Sequence, residues 1–361
     1  MTKQDIIQNN FSSQNEEYLK INKRGYCDIA MRVGKCRIAL QTIRKLKCKR
    51  ILVLYPDLKI KDSWTTDLAK LGLSEDNYTF SHYMSVKKQN LTKFDIVILD
   101  EFPEMSPAQL NNVKELIDRL NCYVLGLSGT VSDKSKQLAN NELGMYMINQ
   151  YTAEEAINDG LISNYQVTIH TIPLNNTKKY LKNSAGNSIT EATKYANFNF
   201  VIESNRRKGI PNKFTYLNRA RLVKNSISKD LALKDLLSKL EGRVLVFVGS
   251  IKAAEKLKIP VFHSQTKDLK EFDNFISGKT KQLAVIEIGG SGVTYKNLSH
   301  LVMANVTWNE ETASQRIFRC MMLDYEDKVA DIHIVISTED SDINKCKQAL
   351  SMLDQNKIKW I

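Results

Sequence analysis

The sequence predicts an α/β protein with two domains, each a mostly parallel sheet flanked by helices. Short apolar, β-branched runs alternate with segments of helical spacing in the first half of the chain, and the same alternation returns near the C-terminus. At 361 residues the chain is also long enough for two ordinary domains, each with its own core. We expect the domains to be residues 1–160 and 161–361.

Four runs in the first half have the length and composition of buried strands. They are YCDIA (26–30), RILVLYP (50–56), FDIVILDE (94–101) and CYVLGLSGT (122–130). The stretches KCRIALQTIRKLK and SPAQLNNVKELIDRL between them have helical spacing, and the second offers Ser106 as an N-cap followed by Pro107. This order predicts a parallel sheet with helices on both faces.

Five further runs near the C-terminus predict a second sheet of the same kind. They are RVLVFVGS (243–250), PVFHS (260–264), QLAVIEI (282–288), HLVMANV (300–306) and DIHIVIS (331–337). Residues 171–235 break this rhythm, because they are polar at first and then mix basic with aromatic residues. We interpret them as a helical insertion or arm on the second domain.

Composition limits the classes of function. The net charge of +12 suggests a polyanionic partner, most simply a nucleic acid. No apolar run reaches the roughly 18 to 20 residues of a membrane span, and the polar N-terminus lacks a signal-peptide core. The six cysteines and five histidines are dispersed, which argues against a zinc site or a disulfide framework. We therefore expect a cytoplasmic protein with no membrane partner.

The stretch MRVGKCR (31–37) follows the first predicted strand and opens a helix, which is where a phosphate-binding loop belongs. In such a loop, backbone N–H groups face the anion and the lysine, here Lys35, reaches the terminal phosphates. We therefore expect Arg32, Val33, Gly34, Cys36 and Arg37 to surround a bound nucleotide together with Lys35. A Gly-Lys pair is a weak signal alone, and an ordinary helix N-terminus with an exposed lysine is the alternative.

The stretch FDIVILDEF supports the nucleotide interpretation. Asp100 and Glu101 follow four apolar residues at the end of a predicted strand, and ligands of such sheets bind outside those ends. Asp100 could hold the Mg²⁺ of a nucleotide, and Glu101 could activate the attacking water. Ser128 and Thr130 of LSGT end the next strand, where their hydroxyls could sense the γ-phosphate. Ordinary turns are the alternative for both stretches.

The second domain contributes GGSGVTYKNL (289–298) and SQRIFRCMM (314–322). A glutamine and two arginines on one helical stretch can face a nucleotide held by the other domain. An arginine so placed stabilises the charge that develops on a transferred phosphoryl group. A solvated helix face is the alternative for QRIFR.

The order of these segments resembles superfamily 2 helicases and translocases, with tandem RecA-like P-loop domains of DEAD/DEAH-like, phage or remodeller type. The resemblance covers roughly residues 20–360 and rests on seven motifs and a linker. In chain order the matching stretches are MRVGKC (motif I), ILVLYPDLKIKDSW (Ia), ILDEF (II), LSGT (III), AINDGLISNY (the linker), RVLVFVGSIKAAEKL (IV), GSGVTYKNL (V) and QRIFRCMM (VI).

The resemblance implies an ATP-dependent motor with Mg²⁺ as cofactor. Lys35 would bind the β- and γ-phosphates of ATP, Asp100 the Mg²⁺, and Glu101 would be the catalytic base. Gln14 is a weaker match to an adenine-reading glutamine. The other implied roles are coupling of hydrolysis to movement for Ser128 and Thr130, the domain interface for Gly292 and Thr294, and contact with the phosphates for Gln315 and Arg319.

Four positions depart from the family pattern. Cys36 replaces the Ser or Thr whose hydroxyl binds Mg²⁺, and a thiol is a poor ligand for that hard ion. Phe318 replaces a glycine, Met322 stands where a second arginine is expected, and Pro103 stands where many relatives have histidine. Losing an arginine finger costs on the order of 10³-fold or more in rate. These changes affect turnover more than they affect fold or nucleotide binding.

Nucleic-acid contacts are expected on the basic and aromatic stretch within residues 205–221. Its phosphate-binding side chains would make affinity salt-dependent, and its rings could stack on bases. A solvated helical arm with its aromatic side chains in the core is the alternative. The residues predicted to contact the strand are Arg206, Arg207, Lys208, Lys213, Phe214, Tyr216 and Arg219.

Three functions remain open from the sequence. The first is an ATP-dependent DNA helicase or translocase, with RNA as a possible substrate and with replication, repair or restriction proteins as possible partners. If the gene belongs to a phage, the location would be the host cytoplasm. The second is a catalytically weakened protein that binds nucleotide and nucleic acid in a structural or assembly role. The third is the motor subunit of a restriction or repair complex whose nuclease is on another chain.

Overall fold

A computed structural model describes residues 2–88, 91–263, 266, 268–286, 295, 297–304, 309–325 and 328–361. The chain divides into two compact units. The first unit contains the chain up to Asn164 together with Ser314–Lys328, and the second contains Tyr165–Gly289, Tyr295–Ala313 and Val329–Ile361. Among the described residues, no helix is both long enough and apolar enough to cross a lipid bilayer.

The first unit is built on a six-stranded sheet in which every strand pairs in parallel with its neighbours, in the order β3-β2-β4-β5-β1-β6. Its strands are β1 (Arg24–Ile29), β2 (Ile51–Tyr55), β3 (Tyr78–His82), β4 (Ile96–Asp100), β5 (Tyr123–Ser128) and β6 (Tyr146–Tyr151). Its helices are α1 (Lys3–Asn22), α2 (Lys35–Lys45), α3 (Leu58–Lys70), α4 (Pro107–Leu120), α5 (Asp133–Leu143) and α6 (Ala153–Asn158).

Local sequence explains where these elements begin. Helix α4 has the predicted N-cap at Ser106, whose hydroxyl accepts a hydrogen bond from the backbone N–H of Gln109 while the Gln109 side chain reaches back to the cap. Strands β2 and β4 are buried along their whole length, which fits a sheet covered on both faces. Helix α1 was not predicted, although its buried Gln8, Ser12, Asn15 and Leu19 follow helical spacing.

The second unit is built on a seven-stranded sheet in the order β11-β12-β10-β13-β14-β7-β15. Its strands are β7 (Asn164–Ile172), β10 (Val244–Phe247), β11 (Val261–Phe262), β12 (Gln282–Val285), β13 (His300–Met303), β14 (Val329–Ser337) and β15 (Ile358–Trp360), beside a separate short hairpin of β8 (Leu181–Lys182) and β9 (Ser188–Ile189). Its helices are α7 (Glu191–Arg207), α8 (Lys213–Lys224), α9 (Ile227–Lys239), α10 (Ile251–Glu255), α11 (Lys270–Ile276), the first part of α12 (Glu310–Phe318) and α13 (Asp340–Ala349).

The predicted fold class is confirmed, since two mostly parallel sheets are flanked by helices. The region 171–235 is largely helical, as expected, but its parts differ in packing. Helix α9 contributes Leu233 and Leu237 to the core of the second sheet. Helices α7 and α8 instead pack on each other around a small cluster that includes Tyr195 and Val223. Strands β3, β6, β7 and β15 were not predicted.

Candidate nucleotide site

The loop between β1 and α2 has the backbone of an anion site. Gly34 lies at φ 99°, in the left-handed region that favours glycine, and a Cβ added there would lie 2.3 Å from Nε2 of Gln8. Helix α2 begins directly afterwards at Lys35 and has no side-chain cap. Its first N–H groups therefore remain available to an anion, in the positive end of the helix dipole.

Lys35 faces the carboxylate that follows β4. Its Nζ lies 3.2 Å from Oε1 of Glu101, and both side chains are largely buried. The hydroxyl oxygen of Ser128, at the end of the neighbouring strand β5, lies 3.2 Å from Oε2 of Glu101. Glu101 itself sits at φ 47°, a strained conformation for a residue with a side chain. The lysine, the glutamate and the serine predicted from three separate motifs thus form one contact network.

Asp100 is held in place from two sides. Its Oδ2 accepts a 2.7 Å hydrogen bond from the indole N–H of Trp64, and its carbonyl accepts one of 2.9 Å from the buried hydroxyl of Tyr83. Burial, together with the adjacent Glu101, raises the pKa of Asp100 to about 6. Burial alone would lower the pKa of Lys35, but the charges of Glu101 and Asp100 outweigh it and raise that pKa.

Cys36 lies where an Mg²⁺-binding hydroxyl is expected. Burial raises the pKa of its thiol well above the ordinary value, so the group is a neutral thiol. The side chain of Ser63 hydrogen-bonds to this thiol, and Ser63 and Asp67 line the same cavity as Asp100. Hard oxygen donors suited to Mg²⁺ are therefore present although the thiol is not one of them.

Arginines from two segments also reach this cavity. Arg319 belongs to the first unit, and its carbonyl accepts a hydrogen bond of 3.4 Å from Arg32. Burial, together with repulsion from Arg319, lowers the pKa of Arg32 to about 10. Gln315 hydrogen-bonds to the Glu104 side chain. The cavity has a volume of about 230 Å³, and its lining includes Arg32, Gly34, Lys35, Cys36, Asp100, Glu101, Gln315 and Arg319.

The predicted nucleotide-binding residues Val33, Arg37 and Thr130 do not line the cavity. Val33 is buried and presents its carbonyl to α1, and Arg37 forms a 3.4 Å ion pair with Asp5 instead of lining the cavity. Thr130 is buried, and its carbonyl accepts a hydrogen bond from Ser128. Gly292 and Thr294 lie outside the described residues.

Helix α1 supplies the residues that sequence reasoning missed. Gln4 and Gln8, one turn apart, donate their amides to the carbonyl of Val33 at 3.1 and 2.6 Å. Gln14, the predicted adenine reader, is exposed on the same helix and does not line the cavity. The spacing of four residues between Gln4 and Gln8 was the available signal, but a polar helix face usually lies in solvent.

The predicted nucleic-acid residues lie at the end of α7 and on α8. Phe214 is 78% exposed and Tyr216 46% exposed, so neither ring is in a core. Arg219 donates to Asn199 at 2.7 Å and stacks near the rings of Tyr195 and Tyr216. Arg206, Lys208 and Lys213 are exposed, and Arg207 forms an exposed ion pair with Glu203.

Comparison with known proteins agrees with this description. Residues 228–322 match the family model of the helicase conserved C-terminal domain. No curated protein matches the chain by sequence.

Three solved structures share the fold. S. cerevisiae Dbp5 bound to RNA and ADP BeF3 is 14% identical with a TM-score of 0.58, and the match covers 94% of this chain and 85% of that one. The restriction-modification enzyme LlaBIII bound to DNA is 12% identical with a TM-score of 0.63, covering 98% and 31%. Mycobacterium smegmatis helicase Lhr bound to ssDNA and AMP-PNP is 11% identical with a TM-score of 0.59, covering 95% and 48%.

The chain therefore has the tandem RecA-like fold of superfamily 2 helicases and contains a helicase C-terminal domain. The predicted resemblance to superfamily 2 is confirmed. The chain spans about a third of the length of LlaBIII and about half of the length of Lhr.

Proposed function

We propose that the chain is an ATP-dependent translocase or helicase that acts on DNA. The observation that carries this proposal is the convergence of Lys35, Glu101, Asp100 and Arg319 on one cavity at the N-terminus of α2. Three cationic side chains, counting Arg32, face a space next to a backbone anion site, which suits a polyphosphate. The first unit, close to the predicted residues 1–160, would be the ATP-binding domain and the second the helicase domain.

Each of these residues would have a separate role in phosphoryl transfer to water. The loop N–H groups and Lys35 bind the β- and γ-phosphates. Glu101 accepts the proton of the attacking water, a role that its contacts with Lys35 and Ser128 would orient. Arg319 and Arg32 stabilise the charge that develops on the phosphoryl oxygens. Bound Mg²⁺, held by Asp100 with Ser63 and Asp67 nearby, would supply further neutralisation of that charge.

The preference for DNA rests on the remodeller-like loop and linker in the sequence and on two fold neighbours, LlaBIII and Lhr, that were bound to DNA. Dbp5 was bound to RNA, so RNA is the alternative substrate. The basic and aromatic surface of α7 and α8 would contact the strand. The partners of such an activity would be replication, repair or restriction proteins in the cytoplasm of a cell or of a phage host.

The test of movement is ATP-dependent displacement of a third strand from a DNA triplex, with an RNA duplex of matching sequence run in parallel. We expect displacement on DNA by the wild-type protein and none by the Glu101→Gln variant. The exposed Glu17→Gln variant on α1 serves as the matched control and should behave as wild type. Equal displacement by all three proteins, or none by any, would refute the proposal.

A weakened binding protein is the second candidate, and Cys36 favours it. The variant Cys36→Thr separates the two functions, because it restores a hydroxyl to the Mg²⁺ site. If the protein is a translocase with weakened catalysis, Cys36→Thr should raise ATP turnover about 10-fold, which is the effect of one good hydrogen bond or ligand contact. A protein kept only for binding should show unchanged turnover, with nucleotide affinity measured by calorimetry as the accompanying readout.

A further inference from the structure

Three of the five histidines of the chain come together in the second unit, although they are far apart in sequence. His300 begins β13, His333 lies in β14, and His170 lies in β7, next to β14 in the sheet order. Asp331 lies two residues before His333 on β14 and pairs with His300 across the strands. This group of four residues, which we call the histidine cluster, lies in the second unit.

The atoms of the cluster are spaced like metal ligands. Oδ2 of Asp331 lies 3.2 Å from Nδ1 of His300 and 3.1 Å from Nε2 of His333, and all three atoms lie within 4.8 Å of one another. Ligands that bind a tetrahedral ion at about 2.0–2.1 Å stand roughly 3.3 Å apart. The two observed separations therefore need little change to admit an ion between the three side chains.

The surroundings resemble the outer shell of a metal site. The remaining nitrogen of His333, Nδ1, lies 3.1 Å from Nε2 of His170, so an N–H at that position can donate to His170 while Nε2 binds an ion. Gln166 donates to Oδ1 of Asp331 at 3.4 Å, which leaves Oδ2 for the ion. Nδ1 of His300 is buried and makes no hydrogen bond among the described residues despite its closeness to Asp331.

We propose that His300, His333 and Asp331 bind a zinc ion, with His170 and Gln166 orienting two of the ligands. Imidazole nitrogens with one carboxylate suit zinc better than Mg²⁺ or Ca²⁺, and water fills the fourth position. The partial exposure of His300 and Asp331, 17% and 23%, leaves a path for that water. The ion joins β13 to β14 at the start of β13 and so stabilises the second unit.

The experiment uses the full chain without an affinity tag, freed of metal by chelation and kept in excess Mg²⁺ to block the nucleotide site. Titration with Zn²⁺ against a coloured chelator should show one ion per chain, and Co²⁺ should give the intense visible absorption of a tetrahedral site without sulfur ligands. His300→Gln and Asp331→Asn should each weaken binding at least 100-fold. His170→Ala should weaken it about 10- to 100-fold, as expected for a group that orients a ligand.

The matched control is His82→Gln, which changes a histidine of the first unit that accepts a backbone N–H and should leave binding unchanged. Because a ligand variant could fail to fold, the wild-type protein is also melted with Zn²⁺ and with chelator, and zinc should raise its melting temperature by about 5 °C at saturation. No Zn²⁺ binding by wild type, equal binding by the ligand variants, or equal loss in His82→Gln would overturn the proposal.

Discussion

Replacing Asp100 by Asn should make the first unit more stable at pH 8 while removing catalysis. The pKa of Asp100 is raised to about 6 from an ordinary 3.8 because the carboxylate is buried beside Glu101. That difference corresponds to about 3 kcal/mol at 1.36 kcal/mol per pH unit. Asn has nearly the shape of the protonated acid and can still accept the hydrogen bond from Trp64, so it removes the cost of the buried charge.

The stability difference between wild type and Asp100→Asn should depend on pH. The folded protein binds a proton at Asp100 more tightly than the unfolded chain does. The loss of stability caused by the ionised carboxylate is therefore absent below about pH 4, grows up to about pH 6 and is complete above it. Urea unfolding should therefore show Asp100→Asn to be about 1–3 kcal/mol more stable than wild type at pH 8 and equal to it at pH 4.

A matched control lies at the other end of the same strand. Burial alone would raise the pKa of Asp95, but hydrogen bonds from the Arg50 side chain and from the backbone N–H groups of Lys49 and Arg50 outweigh it and lower that pKa. Asp95→Asn should therefore lose about 1 kcal/mol at pH 8, and this loss should shrink toward low pH. If Asp100→Asn destabilises the protein at pH 8 as Asp95→Asn does, the assignment of Asp100 as a buried carboxylate with a raised pKa is wrong.

Two further predictions concern the loop and the arm. Gly34→Ala should lower nucleotide affinity at least 10-fold by calorimetry, because alanine is strained at φ 99° and its Cβ, 2.3 Å from Nε2 of Gln8, would displace the amide that donates to Val33. Gly72→Ala carries similar strain at φ 63°, but it lies in open space outside this loop and should not change affinity. Arg206→Ala should reduce the slope of log affinity for single-stranded DNA against log salt by about 0.7, the effect of one lost phosphate contact. An unchanged slope would remove Arg206 from the interface.

Much of the candidate nucleotide site could be predicted because its chemistry is local in sequence. Lys35 stands at a helix start, and Asp100 and Glu101 stand at a strand end, so each position follows from a short pattern. Parallel pairing then places Asp100 opposite Leu127, one residue before Ser128, which explains why motifs far apart in the chain meet. Continuous apolar runs also predicted nine of the strands in the two sheets, but not β3, β6, β7 and β15.

Contacts that depend on tertiary packing could not be predicted. Gln8 and Trp64 lie on helices whose sequences give no sign of which neighbour they touch, and each was found only once α1 and α3 were placed. The histidine cluster shows the same limit, since His170 lies 130 residues before His300, and His300 lies 33 residues before His333. The sheet brings His300 and His333 to one strand pair and places His170 on the strand beside it. Strand β15 has only three residues, too few for a periodic pattern.

The rate of ATP hydrolysis with and without DNA, in wild type and in Glu101→Gln, tests the central claim most directly. We expect DNA to stimulate the wild-type rate and Glu101→Gln to lower it about 10²- to 10⁴-fold while still binding ATP, because the variant lacks only the base. A wild-type protein that hydrolyses no ATP under any salt or strand condition, or a variant that hydrolyses it at the wild-type rate, would contradict the account.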